Sequence, residues 1–139
     1  GISVNKKEGD KKTPKGIFKI ENLYFRKDRL QKPVTRLKCL EIKKNMAWCD
    51  DIKYPKKYNK LIKISKKISH EMLKRKDYKY DLLIPIKYNF NNPILGLGSC
   101  IFIHLTKNYQ PTNGCIALKK KDFLIMLKLI KKNTKIKIS

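Results

Sequence analysis

Two side chains in the second half of this sequence have types and spacing that could do chemistry. His104 closes the run Gly98-Ser99-Cys100-Ile101-Phe102-Ile103-His104, and Cys115 follows a glycine in Thr112-Asn113-Gly114-Cys115-Ile116-Ala117-Leu118. An imidazole can take a thiol proton, and the resulting thiolate attacks a carbonyl carbon. That pairing predicts a Cys115 that ionises below the ordinary thiol range and lies within hydrogen-bond reach, ~3 Å or somewhat more, of His104. Spacing alone leaves a buried core cysteine and a metal ligand open as readings of Cys115, and a satisfied, partly buried histidine open for His104.

The elements around the pair follow from periodicity. The β-branched run ending at His104 reads as a strand, with Gly96 and Gly98 bracketing the turn into it. On it Cys100, Phe102 and His104 share one face. The connection Lys107 to Pro111 must then turn the chain back so that Cys115 reaches the imidazole. Ile17-Phe18-Lys19-Ile20, entered through Thr13-Pro14-Lys15-Gly16, is a further strand candidate. So are Leu37 to Ile42 and Tyr80 to Ile86, the last with a proline, Pro85, that argues for an edge or a bulge. Leu61 to Ile64 reads as a short buried piece. Ser65 to Arg75 reads as a helix with Ile68 and Met72 stacked. Asp122 to Lys131 is the clearest helix, its Phe123, Met126, Leu127 and Ile130 stripe widened by Leu124 and Leu129 and read as core. Residues 133–139 read as a basic tail, which leaves 1–132 as a single domain.

Of the 139 residues 41% are hydrophobic, enough for one domain with a real core. The net charge of +24 points to an anionic partner: nucleic acid, membrane surface or acidic polymer. Arginine occurs only at Arg26, Arg29, Arg36 and Arg75, so little of the bidentate chemistry of base recognition is present, and no specific nucleic acid is expected. No apolar run approaches the ~20 residues that cross a bilayer. The cysteines at 39, 49, 100 and 115 fit no zinc spacing. Cys39 and Cys49 are read as two separate core positions in preference to a disulfide. Asp50 and Asp51 are adjacent and point apart, so they are read as local charge partners of lysines and not as a catalytic carboxylate pair.

Three ordered blocks carry a resemblance. Ile101 to Leu118, with His104 followed by Thr112, a variable Asn113 and Gly114-Cys115, resembles the active-site signature of YkuD-like (ErfK-like) L,D-transpeptidases. Gly9-Asp10-Lys11-Lys12-Thr13-Pro14-Lys15-Gly16-Ile17-Phe18 is similar to that family's early Thr-Pro-x-Gly-x-Phe strand. Trp48-Cys49-Asp50-Asp51, Tyr58-Asn59, His70-Glu71 and Tyr80-Asp81-Leu82 resemble elements that link the two in one subgroup. The resemblance covers about residues 5 to 130. It implies a mainly β fold with a few helices, a small mixed β-sandwich-like catalytic domain. It implies Cys115 as nucleophile on a peptidoglycan tetrapeptide stem with release of D-alanine, His104 as base and proton shuttle, and Gly114 with the Gly114 and Cys115 amides as the oxyanion hole. Thr112, Asn113, Trp48 and His70 are then candidate substrate contacts, with Asp50 and Asp51 weaker ones; from the residues alone Trp48 is equally open to a place in the core, His70 to a packing or surface role, and Thr112 to setting the loop geometry.

No metal or organic cofactor is implied. The partners are peptidoglycan stem peptides, with an anionic wall polymer or membrane surface besides, the chain is expected to be a monomer, and the location is the periplasm or cell envelope. Where many relatives carry an arginine two residues past the cysteine this chain has Ala117, and Lys119 or Lys120 are the candidates to replace that charge. A backbone carbonyl can orient His104 without leaving a trace in the sequence. The alternatives are an L,D-carboxypeptidase, an inactive wall-binding member and, remotely, a basic nucleic-acid-binding protein.

Overall fold

The structure, a computed structural model, describes residues 1–109 and 112–139; the end of the Lys107 to Pro111 connection, residues 110–111, lies outside the described residues. It is mostly β, with a single short helix among the described residues. The centre is a five-stranded mixed sheet made of β4 (Leu23–Phe25), β5 (Cys39–Glu41), β9 (Leu82–Pro85), β10 (Phe102–Leu105) and β11 (Ile116–Leu118), in the order β11-β10-β9-β4-β5. β6 (Met46–Cys49) pairs with β7 (Leu61–Lys63) and β8 (His70–Met72) on either side as a second, antiparallel sheet. Two small ladders complete the fold: β1 (Ile2–Ser3) with β2 (Thr13–Pro14), and β3 (Gly16–Lys19) with β12 (Lys135–Ile138). The helix α1 spans Lys120–Leu129.

Both faces of the central sheet are covered, and the two-residue period of its strands shows how. Leu23, Phe25, Leu82, Ile84, Ile103 and Leu105 point to one side, into a core shared with Phe123 and Leu127 of α1 and with Ile138 of β12. Tyr24, Leu83 and Phe102 point to the other, where Trp48, Ile42, Leu73 and Tyr80 meet them. A strand buried on both faces needs apolar residues throughout, as Leu-Leu-Ile and Phe-Ile-His-Leu supply in β9 and β10. Each fully buried Phe or Leu of this set stabilises the fold by roughly 1.5–3 kcal/mol.

Five expectations change here. Ser65 to Arg75 is not helical: His70–Met72 forms β8 against β6, with Trp48 opposite Glu71 and Cys49 opposite His70. Pro85 closes a central strand and not an edge, its carbonyl accepting the Glu21 N–H at 2.9 Å. The segment expected as a basic tail contains β12, whose Lys-Ile-Lys-Ile alternation buries Ile138 and half-buries Ile136 against the core while the lysines stay in water. Leu61 and Ile64 are exposed, and Leu129, expected in the apolar stripe of α1, is 75% exposed at the helix end. All four cysteines are free.

Candidate active site

β10 lies between β9, antiparallel to it, and β11, parallel to it. Parallel neighbours cannot be joined by a tight hairpin, so the chain must cross back to the start of β10 before β11 begins. The register pairs Ile103 with Ile116 and His104 with Ala117, which brings Cys115, the residue before β11, alongside Phe102. Alternation then turns Cys115, Ala117 and His104 towards the same cavity, of about 500 Å³.

The Cys115 thiol donates to the Cys100 carbonyl at 3.3 Å, and its sulfur accepts the Phe102 N–H at 3.5 Å. Cys100 holds that carbonyl in place from a left-handed conformation (φ 56°), which costs a non-glycine residue about 1–3 kcal/mol. Asn59 stabilises the arrangement. Its Oδ1 accepts both the Cys100 N–H (3.2 Å) and the Trp48 indole N–H (2.8 Å), and its Nδ2 donates to the Tyr88 and Asn89 carbonyls. Desolvation pushes the Cys115 thiol up to about 11, with the Phe102 N–H pulling the other way. The expected depression is thus absent: the resting sulfur is a neutral thiol.

His104 is buried. Its Nδ1 lies 2.8 Å from the Leu105 carbonyl, which can only accept, so Nδ1 carries the proton and Nε2 is the acceptor of the neutral ring. This is the backbone carbonyl that sequence could not name. Burial holds the imidazole below its ordinary pKa against the opposing pull of Leu105. Tyr80 packs edge-on against the ring, centroids 5.6 Å apart. No hydrogen bond joins His104 to Cys115 among the described residues; they share the cavity, and the thiol proton rests on Cys100 instead.

Gly114 sits at φ +101°, and a Cβ there would stand 2.6 Å from the Lys12 carbonyl oxygen. Its lack of a side chain is required by that approach, which ties the early strand region to the cysteine loop. Thr112 donates its hydroxyl to the Cys115 carbonyl, fixing the turn, and both Thr112 and the exposed Asn113 border the cavity. Trp48 does not border it: only 2% exposed, it stands T-shaped against Phe102 and Tyr24 in the core. His70 does not either; its Nδ1 meets the Ile68 carbonyl at 2.7 Å. The strand alternation that turns His70 aside turns Glu71 inward. Neither Lys119 nor Lys120 reaches the cavity wall; the Lys119 ammonium lies 5.3 Å from the Tyr109 ring centroid.

Several wall residues had no sequence signal strong enough to single them out. Glu71 accepts from the Tyr80 hydroxyl (2.8 Å) and from Arg75 (3.3 Å), while Arg75 also grips Asp77 through Nε and Nη2 and stacks over Tyr80. Glu8 accepts from Tyr58 and from Ser99 (2.8 Å), and Lys6 lies buried beside Asp10. Of the two weaker contacts expected from the sequence, Asp50 does border the cavity, with Oδ1 buried and unpartnered among the described residues, whereas Asp51 does not and accepts the Lys53 and Ser69 N–H groups. Reading 70–72 as a strand would have found Glu71; the rest are brought in by distant loops.

A family model described as YkuD, L,D-transpeptidase catalytic domain, matches residues 1–138. No curated protein and no solved structure matches the chain.

Proposed function

Because this chain belongs to the YkuD family of L,D-transpeptidase catalytic domains, we propose that it is a cysteine L,D-transpeptidase whose acyl donor is a peptidoglycan tetrapeptide stem and whose nucleophile is Cys115. The observation that carries this reading is an imidazole on β10, whose Nε2 has no hydrogen-bond partner among the described residues, and a thiol immediately before the parallel β11, both facing one cavity. In the free protein both are neutral. When a stem peptide enters, the thiol leaves the Cys100 carbonyl and its proton passes to His104 Nε2 as sulfur bonds to the carbonyl carbon.

The developing oxyanion needs N–H donors. Among the described residues, no backbone carbonyl takes the Gly114 or Cys115 N–H, and Gly114 has no side chain to obstruct them. Collapse breaks the C–N bond, His104 returns the proton to the departing D-alanine amine, and a thioester remains on Cys115. An amine then attacks the thioester, His104 takes its proton, and the thiol is regenerated. A second stem as acceptor gives a cross-link, and water gives carboxypeptidase activity. Thr112 acts by holding the Cys115 carbonyl. The net charge of +24 suits work against an anionic wall in the periplasm or cell envelope.

Incubation with a disaccharide tetrapeptide tests the reading. Release of D-alanine with formation of a dimer or a tripeptide, lost in Cys115→Ala and in His104→Ala, is the expected outcome. Turnover undiminished in Cys115→Ala would overturn it.

A further inference from the structure

Most lysines of this chain lie in water, but Lys6 does not. Its side chain is 5% exposed, and it forms part of the cavity wall. Burial of an ammonium is costly unless the charge is compensated. Here Nζ donates to Asp10 Oδ1 at 2.7 Å and to the Lys7 carbonyl at 2.9 Å. Among the described residues these acceptors take two of its three N–H bonds. Asp10 is itself saturated, accepting the Lys7 and Lys12 N–H groups as well. The lysine stem crosses directly over Gly98, where a Cβ would meet its Cε at 3.1 Å and its Nζ at 3.2 Å. Gly98 leads through Ser99 to Cys100, whose carbonyl holds the Cys115 thiol. A fixed, desolvated ammonium, paired with Asp10 and with one N–H left over among the described residues, is therefore built into the wall of the cavity that Cys115 faces.

The other wall cations differ. Arg75, its side chain 31% exposed, donates to Asp77 and Glu71, and Lys11 and Lys79 are exposed. Ala117, opposite His104, brings no charge.

We infer that Lys6 is the anchor for an anionic group of the acyl donor, the free C-terminal carboxylate of the residue that leaves. This rests on the proposed acyl transfer and deepens it: a charge-assisted bond to that carboxylate fixes the last residue of the donor and places the preceding carbonyl at Cys115, so the site selects chains that end one residue beyond the attacked carbon. A hydrogen bond between charged groups in such a setting is worth about 10–100-fold in affinity.

Binding is best read without turnover, in the full chain carrying Cys115→Ala, by calorimetry with a tetrapeptide ending in a free carboxylate and with its C-terminal amide. The free acid should bind about 10–100-fold more tightly. Lys6→Met should bring the two peptides to near parity, Lys6→Arg should keep much of the preference, and Lys137→Met, which removes the same charge from distant β12, should leave it intact. Equal affinity for the two peptides in the Cys115→Ala parent, no binding of either, or an undiminished preference in Lys6→Met overturns the proposal. If Lys6→Met does not fold, the parent comparison and Lys6→Arg still decide. Acylation of the wild-type chain is measured separately: a carboxylate preference without acylation would overturn the transpeptidase reading and leave the Lys6 site standing.

Discussion

At the scale of single residues the candidate site holds a neutral thiol and a neutral imidazole, and this sets the pH behaviour expected of it. With Cys115 pushed up to about 11, alkylation by iodoacetamide should be slow at pH 7–8 and rise through pH 10–11, above the ~8.5 of a free thiol. In the proposed mechanism the thiolate is made only as substrate is attacked, with His104 as acceptor. Since His104 is held below its ordinary value, the acid limb of acylation should lie below pH ~6.5. The same thiol leaves a mark on stability. In the unfolded chain it ionises near ~8.5 and in the folded one only near 11, so the unfolded state loses its proton first and stability falls as pH rises through that window. Cys115→Ala should remove that part of the alkaline loss, as seen in urea midpoints from pH 8 to 11. Gly114 is constrained by backbone: Gly114→Ala would place a methyl 2.6 Å from the Lys12 carbonyl at φ +101°. A loss of about 1–3 kcal/mol, together with a large fall in acylation, is expected from chemical unfolding and rate measurements.

At the scale of elements, the strand that carries His104, the helix after β11 and the three signature blocks were legible in sequence, because their periods are long or their turn residues specific. What was missed has physical reasons. Ile68, Met72 and Arg75 satisfy a helical spacing, but tertiary pairing with Trp48 and Cys49 makes 70–72 a strand, and a change of period exchanges which neighbour faces the cavity: Glu71 instead of His70. Lys-Ile-Lys-Ile looks like a charged tail until β3 supplies its partner. Trp48 sits in a signature block that points to the groove, and nothing in sequence shows that Asn59 and Phe102 close around it. Two variants test these elements. Removal of residues 134–139 should lower the melting temperature, since it unpairs β3 and uncovers Phe18, whereas an independent tail would leave it unchanged. Asn59→Ala should cost about 1–3 kcal/mol for each of the Trp48 and Cys100 donors it orphans. It should also slow acylation, because the Cys100 carbonyl loses its support.

At the scale of the whole molecule, a central sheet covered on both faces carries β10 and β11, and the cavity is assembled from segments far apart in sequence: residues 6–11, Asp50, and residues 71–80, 99–108 and 112–117. That is why the candidate pair, His104 and Cys115, could be picked out from one stretch while most of the wall could not. The charge of +24 belongs to this scale as well. Adsorption to isolated cell-wall sacculi should weaken as salt rises from about 0.05 to 0.5 M, where the screening length falls below about 5 Å, while acylation by a small soluble stem peptide changes little. The most direct measurement is the intact mass of the protein after exposure to a tetrapeptide stem, for the wild type and Cys115→Ala side by side. Acyl transfer through Cys115 predicts a wild-type adduct equal to the donor less D-alanine, located on Cys115 and missing from the variant. Folded, reduced wild-type protein that gains no mass and releases no D-alanine, or a variant that is acylated equally, would contradict it.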